Sequence, residues 1–386
     1  MRKGWVETSL GEVAEVLDRL RKPISGPERE KRLGEVPYYG ATGRTGWIDE
    51  ALFNEELVLL GEDAVDFLNP DVHKAYLIDG PSWVNNHAHV LRPNAEKVSG
   101  FFLMESLNAV DYSQFVAFGT RSKLTQGSML GIKIPVPPLA EQKRIVDVVS
   151  SVDAYIGALQ QQVDSARVAR NAVLHELLSA GGDDWTETTL GEIAKWGSGG
   201  TPKSDNPSYY DGDIPWCVIG DLTEGEVSIT EKCISHEGLR NSSAKMVEPG
   251  AVMIAMYGAS IGRTGIVAVP MATNQAIAFA YVYEAKVVSQ FLLIYLQIQK
   301  QKFIDAGQGA AQPNISQTVL KDWPILLPSL EEQNRIVGIV TSIDEVIQST
   351  EQAIEDAKSL RSGLLTDLLS GNHEIPASYD SLLGAA

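Results

Sequence analysis

The 386-residue sequence predicts a mixed α/β (α+β) protein: two globular domains joined by two long antiparallel coiled-coil helices, with a pseudo-two-fold internal repeat. Three observations predict it. Pro137-Pro138-Leu139-Ala140-Glu141-Gln142-Lys143-Arg144-Ile145-Val146 returns 191 residues later as Pro328-Ser329-Leu330-Glu331-Glu332-Gln333-Asn334-Arg335-Ile336-Val337. Trp5-Val6-Glu7-Thr8-Ser9-Leu10-Gly11-Glu12 returns 180 residues on as Trp185-Thr186-Glu187-Thr188-Thr189-Leu190-Gly191-Glu192. After each proline word, apolar residues step by alternating four and three, the spacing of a coiled-coil seam.

In chain order, residues 1–138 form the first domain, 139–182 a central helix, 183–329 the second domain, 330–373 a second helix and 374–386 a tail. The domains mix short apolar runs with glycine and proline turns. Leu57-Val58-Leu59-Leu60, Ala251-Val252-Met253-Ile254 and Ile266-Val267-Ala268-Val269 read as strands, and 99–110 and 287–302 as modest helices. The central seam runs Ile145, Val149, Val152, Ile156, Leu159, Val163, Ala166, Arg170, Val173, Leu177. Its counterpart runs Ile336, Val340, Ile343, Ile347, Thr350, Ile354, Ala357, Arg361, Leu364, Leu368. Neither helix contains an internal proline, and at about 1.5 Å per residue each is a rod of roughly 60 Å. The seam arginines are expected to lay their stems along the seam with the heads reaching water, a register-fixing role being the alternative. Matching seams in one chain bury most economically against each other.

Composition bounds the function. Hydrophobic content of 44% and charged content of 21% describe a globular chain. No apolar run approaches the roughly 20 residues of a membrane span, and Met1-Arg2-Lys3-Gly4-Trp5 opens no signal core, so a cytoplasmic protein is expected. Cys217 and Cys233 are too few for a disulfide framework or a closed zinc site, and His87 and His89, two apart, have no evident third ligand. The net charge of −18 opposes a stand-alone nucleic-acid binder, yet the excess is uneven. Residues 330–386 carry −7 of it, while Arg19, Arg21, Lys22, Arg29, Lys31 and Arg32 form a basic cluster. Tyr38-Tyr39, Asn85-Asn86-His87, Tyr209-Tyr210 and Asn274-Gln275 enrich the loops in aromatic and amide side chains, the amides being able to read base edges. Catalytic words are weak. Asn206-Pro207-Ser208-Tyr209 looks like the signature of adenine methyltransferases but follows a polar stretch with no Gly-x-Gly-x-x-Gly cofactor loop, and no P-loop lysine occurs.

These residues resemble, over essentially the whole chain, the specificity subunit of type I restriction-modification systems. The two proline-then-helix words carry the resemblance, with 185–194, Gly199-Gly200-Thr201-Pro202-Lys203-Ser204, Ile214-Pro215-Trp216, Thr273-Asn274-Gln275-Ala276 and Val36-Pro37-Tyr38-Tyr39-Gly40-Ala41. The resemblance implies two target-recognition domains, each reading one half of a split asymmetric DNA sequence, with the helices as the ruler of the gap. It also implies that the helices dock two modification subunits, which methylate adenine-N6 with S-adenosylmethionine, and that motor-nuclease subunits join the complex. This chain would be non-catalytic and hold no cofactor or metal. A scaffold that only joins other proteins is the competing class.

Candidate DNA contacts in the first domain are Tyr38, Tyr39, Thr42, Arg44, Arg121, Ser122, Lys123 and Gln126. In the second they are Thr201, Lys203, Tyr209, Arg263, Asn274, Gln275, Gln312, Asn314, Ser316 and Gln317. The 191-residue offset aligns 121–126 with 312–317, a similar place with side chains that differ except at Gln126 and Gln317, as two domains reading different bases require. Arg144 and Arg335, equivalent positions of the two helices, are the candidates for partner docking.

Overall fold

The computed structural model describes residues 2, 4–70, 72–116, 122–179, 181–182, 185–307 and 314–383. The chain divides into two compact units, 1–160 with 352–386, and 161–351. Among the described residues no helix is long and apolar enough to cross a membrane.

In the first unit an antiparallel ribbon of Val6–Ser9 with Lys133–Val136 ties the start of the globular region to its end. The repeated opening word is the turn that leaves this ribbon. Glu12 accepts from the Ser9 N–H at 3.0 Å and from its hydroxyl at 2.7 Å, and these bonds hold its carboxyl below the usual carboxylate range. A Cβ at Gly11 would come within 3.1 Å of the Leu130 side chain, and one at Gly191 within 3.0 Å of the Lys321 carbonyl oxygen, which accounts for glycine in both copies. An antiparallel sheet follows in the order Ala14–Val16, Ala88–Pro93, Leu57–Gly61, Ala75–Ile78. Its Leu57–Gly61 strand is continuously apolar because both faces are covered. Val58 and Leu60 pack with Phe102 and Leu103 of the helix Gly100–Asn108, and Leu57 and Leu59 with Leu17, Phe53 and Val90. A second sheet runs Gly43–Ile48, Val36–Gly40, Pro81–Val84, Phe53–Asn54, its middle pair parallel.

The second unit repeats the plan. Its ribbon is Thr186–Thr189 with Pro324–Leu327. The five-stranded sheet is Ala194–Ser198, Ile277–Val282, Val252–Ala255, Thr264–Val267, Glu226–Val227, and the four-stranded one is Cys233–Ile234, Tyr210–Cys217, Met271–Thr273, Met246–Val247. Val252 and Ile254 face one core, Met253 and Ala255 the other.

The proline words start the long helices, Leu139–Ser179 and Leu330–Leu369. Their shared glutamine is a staple. Gln142, fully buried, donates to the carbonyls of Lys97 at 2.8 Å and Pro137 at 2.9 Å and accepts from the Ser99 N–H at 3.0 Å. Gln333 makes the equivalent bonds to Lys286, Pro328 and Val288 at 2.9, 3.0 and 2.9 Å. Each amide satisfies three backbone groups that would otherwise be buried unpaired.

Within each unit, segments of the two long helices pack antiparallel, and every seam residue is buried or half-buried. Ile145 and Val149 join the core with Leu368 and Leu369 in the first unit, and Leu174 joins Ile336 and Val340 in the second. The seam arginines do not end in water as expected. Arg361 forks onto Asp153, with contacts of 2.5 and 3.0 Å, and reaches Glu105 at 2.6 Å; Arg170 forks onto Asp344. Asp153 and Asp344 are themselves repeat equivalents, so each unit holds the same Arg–Asp lock, and planar bidentate pairing fixes the register of the facing helices. The tail folds onto the first unit: Ile375 is buried, Tyr379 packs on the core, Arg2 meets Glu374 at 2.9 Å and Arg144 meets Asp380 at 3.0 Å.

The two cysteines sit in contrasting places. Burial, reinforced by the Asp221 charge, pushes the Cys217 thiol up to about 12, whereas Cys233 is half-exposed. A disulfide-exchange reagent at pH 8 is therefore expected to titrate one thiol per folded chain and two after denaturation. Two rapidly reacting thiols in the folded chain would contradict this packing.

Candidate nucleic-acid interface

The first unit gathers its candidates on the hairpin of Val36–Gly40 with Gly43–Ile48. Thr42 lies exposed in its turn, and Arg44 is exposed with its guanidinium 4.3 Å from the centre of the Trp47 ring. Tyr39 is half-buried, its ring 6.0 Å from that of Tyr76. Tyr38 is only 3% exposed and packs with Ile48 and Trp83, so it shapes the sheet from within. Above it lies Arg29, 4.9 Å from the ring centre, and Arg32 lies 4.9 Å over Trp83. Arg32 is neutralised by Asp49 at 2.7 Å and Glu50 at 2.9 Å. Arg29 and Arg44 have no carboxylate partner among the described residues. Two free guanidiniums held by aromatic faces give one hairpin a local positive charge on an acidic chain, and arginine so placed suits phosphate.

The second first-unit group precedes the short helix Gln126–Leu130. Arg121 lies outside the described residues. Ser122 is half-buried, Gln126 is exposed, and Thr125 caps the helix by accepting from the Ser128 N–H at 3.2 Å. Lys123 meets Glu62 at 2.9 Å. Burial would raise the Glu62 carboxyl, but Lys123 and Arg21 outweigh it and hold the group below the usual range. His89, for which the sequence offered no third ligand, meets Asp18 and Glu62, the three ligand atoms lying within 4.8 Å of one another. Arg21 and Lys123 occupy the Glu62 carboxylate and both His89 nitrogens are engaged, so the cluster is an ion-pair network.

In the second unit Gln312 lies outside the described residues. Asn314 is exposed and bridges to Tyr257, Ser316 caps the helix Gln317–Lys321 through the Val319 N–H at 3.2 Å, and the buried Gln317 Nε2 has no hydrogen-bond acceptor among the described residues. Thr201 and Gln275 are hydrogen-bonded to each other, with Lys203 exposed nearby in sequence. Asn274 forms a turn by accepting from the Ala276 N–H at 3.1 Å, and Arg263 clamps the Leu222 carbonyl at 2.6 Å. Tyr209 ends a turn, Pro207–Tyr209, that Asn206 opens by accepting from the Ser208 N–H at 3.2 Å, so the methyltransferase-like word is a capped turn. On the helices, Arg335 pairs with Glu332 at 2.6 Å on an exposed face, and Arg144 is held by Asp380. Arg29 and the His89 network are the elements that the sequence reading did not select.

A family model described as type I restriction modification DNA specificity domain matches residues 2–165 and 182–358. The chain is 27% identical over 360 residues to a putative type I restriction enzyme specificity subunit of Haemophilus influenzae, covering 89% of each. It is 23% identical over 420 residues to the putative MjaX specificity subunit of Methanocaldococcus jannaschii, covering 96% of each. Among solved structures, the S subunit of a type I restriction-modification system from M. genitalium superposes with a TM-score of 0.57 at 15% identity, covering 95% of this chain and 96% of that one.

Proposed function

Since the chain belongs to the type I restriction modification DNA specificity domain family, we propose that each globular domain reads one half of a bipartite DNA target while the long helices set the gap and dock the modification subunits. A specificity subunit is the non-catalytic member of such a system; this chain supplies the address. Adenine-N6 methylation with S-adenosylmethionine belongs to two modification subunits, and cleavage to motor-nuclease subunits where they are present.

The observation that carries the reading is a polar stretch occurring twice at one place in the repeat, each time leading into a capped short helix that opens on a glutamine, Gln126 or Gln317, but with Lys123 in one unit where Asn314 stands in the other and with the cap changed from Thr125 to Ser316. One scaffold presenting two sets of donors and acceptors is what two different half-sites need. Thr201, Lys203 and Gln275 extend the second set, Thr42 and Arg44 the first. Docking is supported by large apolar side chains left in solvent on the helices, Tyr155 and Leu360 in the first unit and Val168 and Val346 in the second. The acidic balance fits a subunit whose partners supply much of the phosphate contact.

Adenine-methylation mapping in a host expressing this chain with its modification subunit is expected to give a split asymmetric motif that the modification subunit alone does not give. Replacing residues 15–135 with those of a relative should rewrite one half of the motif and leave the other. No motif, with a modification subunit shown to be active beside another specificity chain, would leave the scaffold reading in its place.

A further inference from the structure

The stretch that carries Ser122, Lys123 and Gln126 is held from below by a buried histidine. His89 is 1% exposed; its Nδ1 lies 2.6 Å from Asp18 Oδ2, and its Nε2 lies 2.9 Å from the Leu124 carbonyl oxygen. Glu62 holds the stretch twice more. Its backbone carbonyl accepts from the Leu124 N–H at 2.9 Å, and its carboxylate takes Lys123 at 2.9 Å. Arg21 completes the network, 2.7 Å from both the Glu62 carboxylate and the Ala88 carbonyl and 3.3 Å from Asp18, whose other oxygen accepts from the Val90 N–H at 2.8 Å.

The second unit builds the same step without charge. The Ile315 N–H donates to the Met256 carbonyl at 2.9 Å, the counterpart of Leu124 on Glu62. Strand register fixes the other equivalence: Leu60 faces His89 as Ile254 faces Ala278. Met256 and Ala278 are buried and apolar where Glu62 and His89 stand in the first unit. Among the described residues the second unit therefore closes this step on a backbone hydrogen bond with no ionic side chain at the two equivalent positions, and taking ionic side chains out of water there is costly and unnecessary to the fold.

We propose that His89 is a positioning residue for DNA reading by the first domain: its bond to the Leu124 carbonyl fixes the Ser122–Gln126 stretch against the sheet. The proposal rests on the two-domain reading above. Base contacts are sensitive to displacement, since a small misplacement loses an aligned pair of hydrogen bonds.

The test uses the complete chain assembled with its modification subunit and duplexes carrying the mapped target, altered in one half or the other. A glutamine amide nitrogen reaches where Nε2 stands, so His89→Gln keeps a donor to Leu124; His89→Asn reaches only where Nδ1 stands and loses it. His89→Asn is expected to reduce discrimination at the first half about tenfold, the worth of one base contact, and leave the second half unchanged. His89→Gln should retain first-half discrimination. The pair Glu62→Met with His89→Ala installs the second unit's apolar side chains and should also lose first-half discrimination alone, which separates positioning from a failure to fold. Equal behaviour of Asn and Gln, a parallel fall at both halves, or full discrimination in the apolar pair would each overturn the proposal. A wild-type complex with no bipartite target at all would instead overturn the reading it rests on.

Discussion

Arg361→Ala is expected to destabilise the first unit by about 3 kcal/mol, the lower end for breaking a buried ion pair. The asymmetry of its partners sets the size. Asp153 is 40% exposed and can be rehydrated, but Glu105 is 3% exposed and would keep a buried charge with its cation gone. Arg170→Ala is expected to cost about 1 kcal/mol, because Asp344 is 45% exposed and, among the described residues, no second carboxylate shares the arginine. Arg361→Lys should recover part of the loss, as a point charge cannot reproduce the fork. Urea unfolding of the three variants measures this. Equal losses for Arg361→Ala and Arg170→Ala would show that Glu105 adds nothing to the first lock.

The double variant Arg29→Ala, Arg44→Ala is expected to weaken DNA binding by the assembled complex about a hundredfold, each charge-assisted contact being worth about 1.5–3 kcal/mol. The salt dependence is the sharper measure. Each lost phosphate contact flattens the slope of log K against log salt by about 0.9, so the pair should lower it by roughly 1.8. Arg32→Ala provides the contrast, since Asp49 and Glu50 already neutralise that guanidinium. Fluorescence anisotropy on a labelled duplex across a salt series reads both quantities. An unchanged slope, or an Arg32→Ala effect as large as the pair's, would remove the hairpin from the phosphate interface.

The helices and the domain plan were legible because they are periodic and duplicated. Seam spacing needs only the sequence, and two copies of the proline word mark where each helix starts. The meaning of the words was not legible. Glu141-Gln142 and Glu332-Gln333 read as a family signature, whereas in the folded chain each glutamine joins the first turn of its helix to backbone 43 to 47 residues away. The Arg–Asp locks are half visible, since the arginines stand at equivalent seam positions, but their pairing with the aspartates spans 174 and 208 residues. Which side chains of a candidate stretch face solvent is illegible for a similar reason. Tyr38 and Tyr39 are successive residues of one strand, so alternation turns only one ring into the core, and the sequence alone does not say that it is Tyr38. Arg29 belongs to a visible basic cluster, yet what distinguishes it from Arg32 is that no carboxylate among the described residues pairs with it in space.

The locks also bear on how such chains change over evolutionary time. Each half carries one aspartate and one arginine 17 residues further on, Asp153 with Arg170 and Asp344 with Arg361, and each lock takes one member from either half. A crossover inside a long helix that exchanged an entire half for that of a relative with the same spacing would rebuild both locks unaltered. Novelty in what is read can thus be acquired by recombination of intact halves, without compensating mutations in the fastening between them.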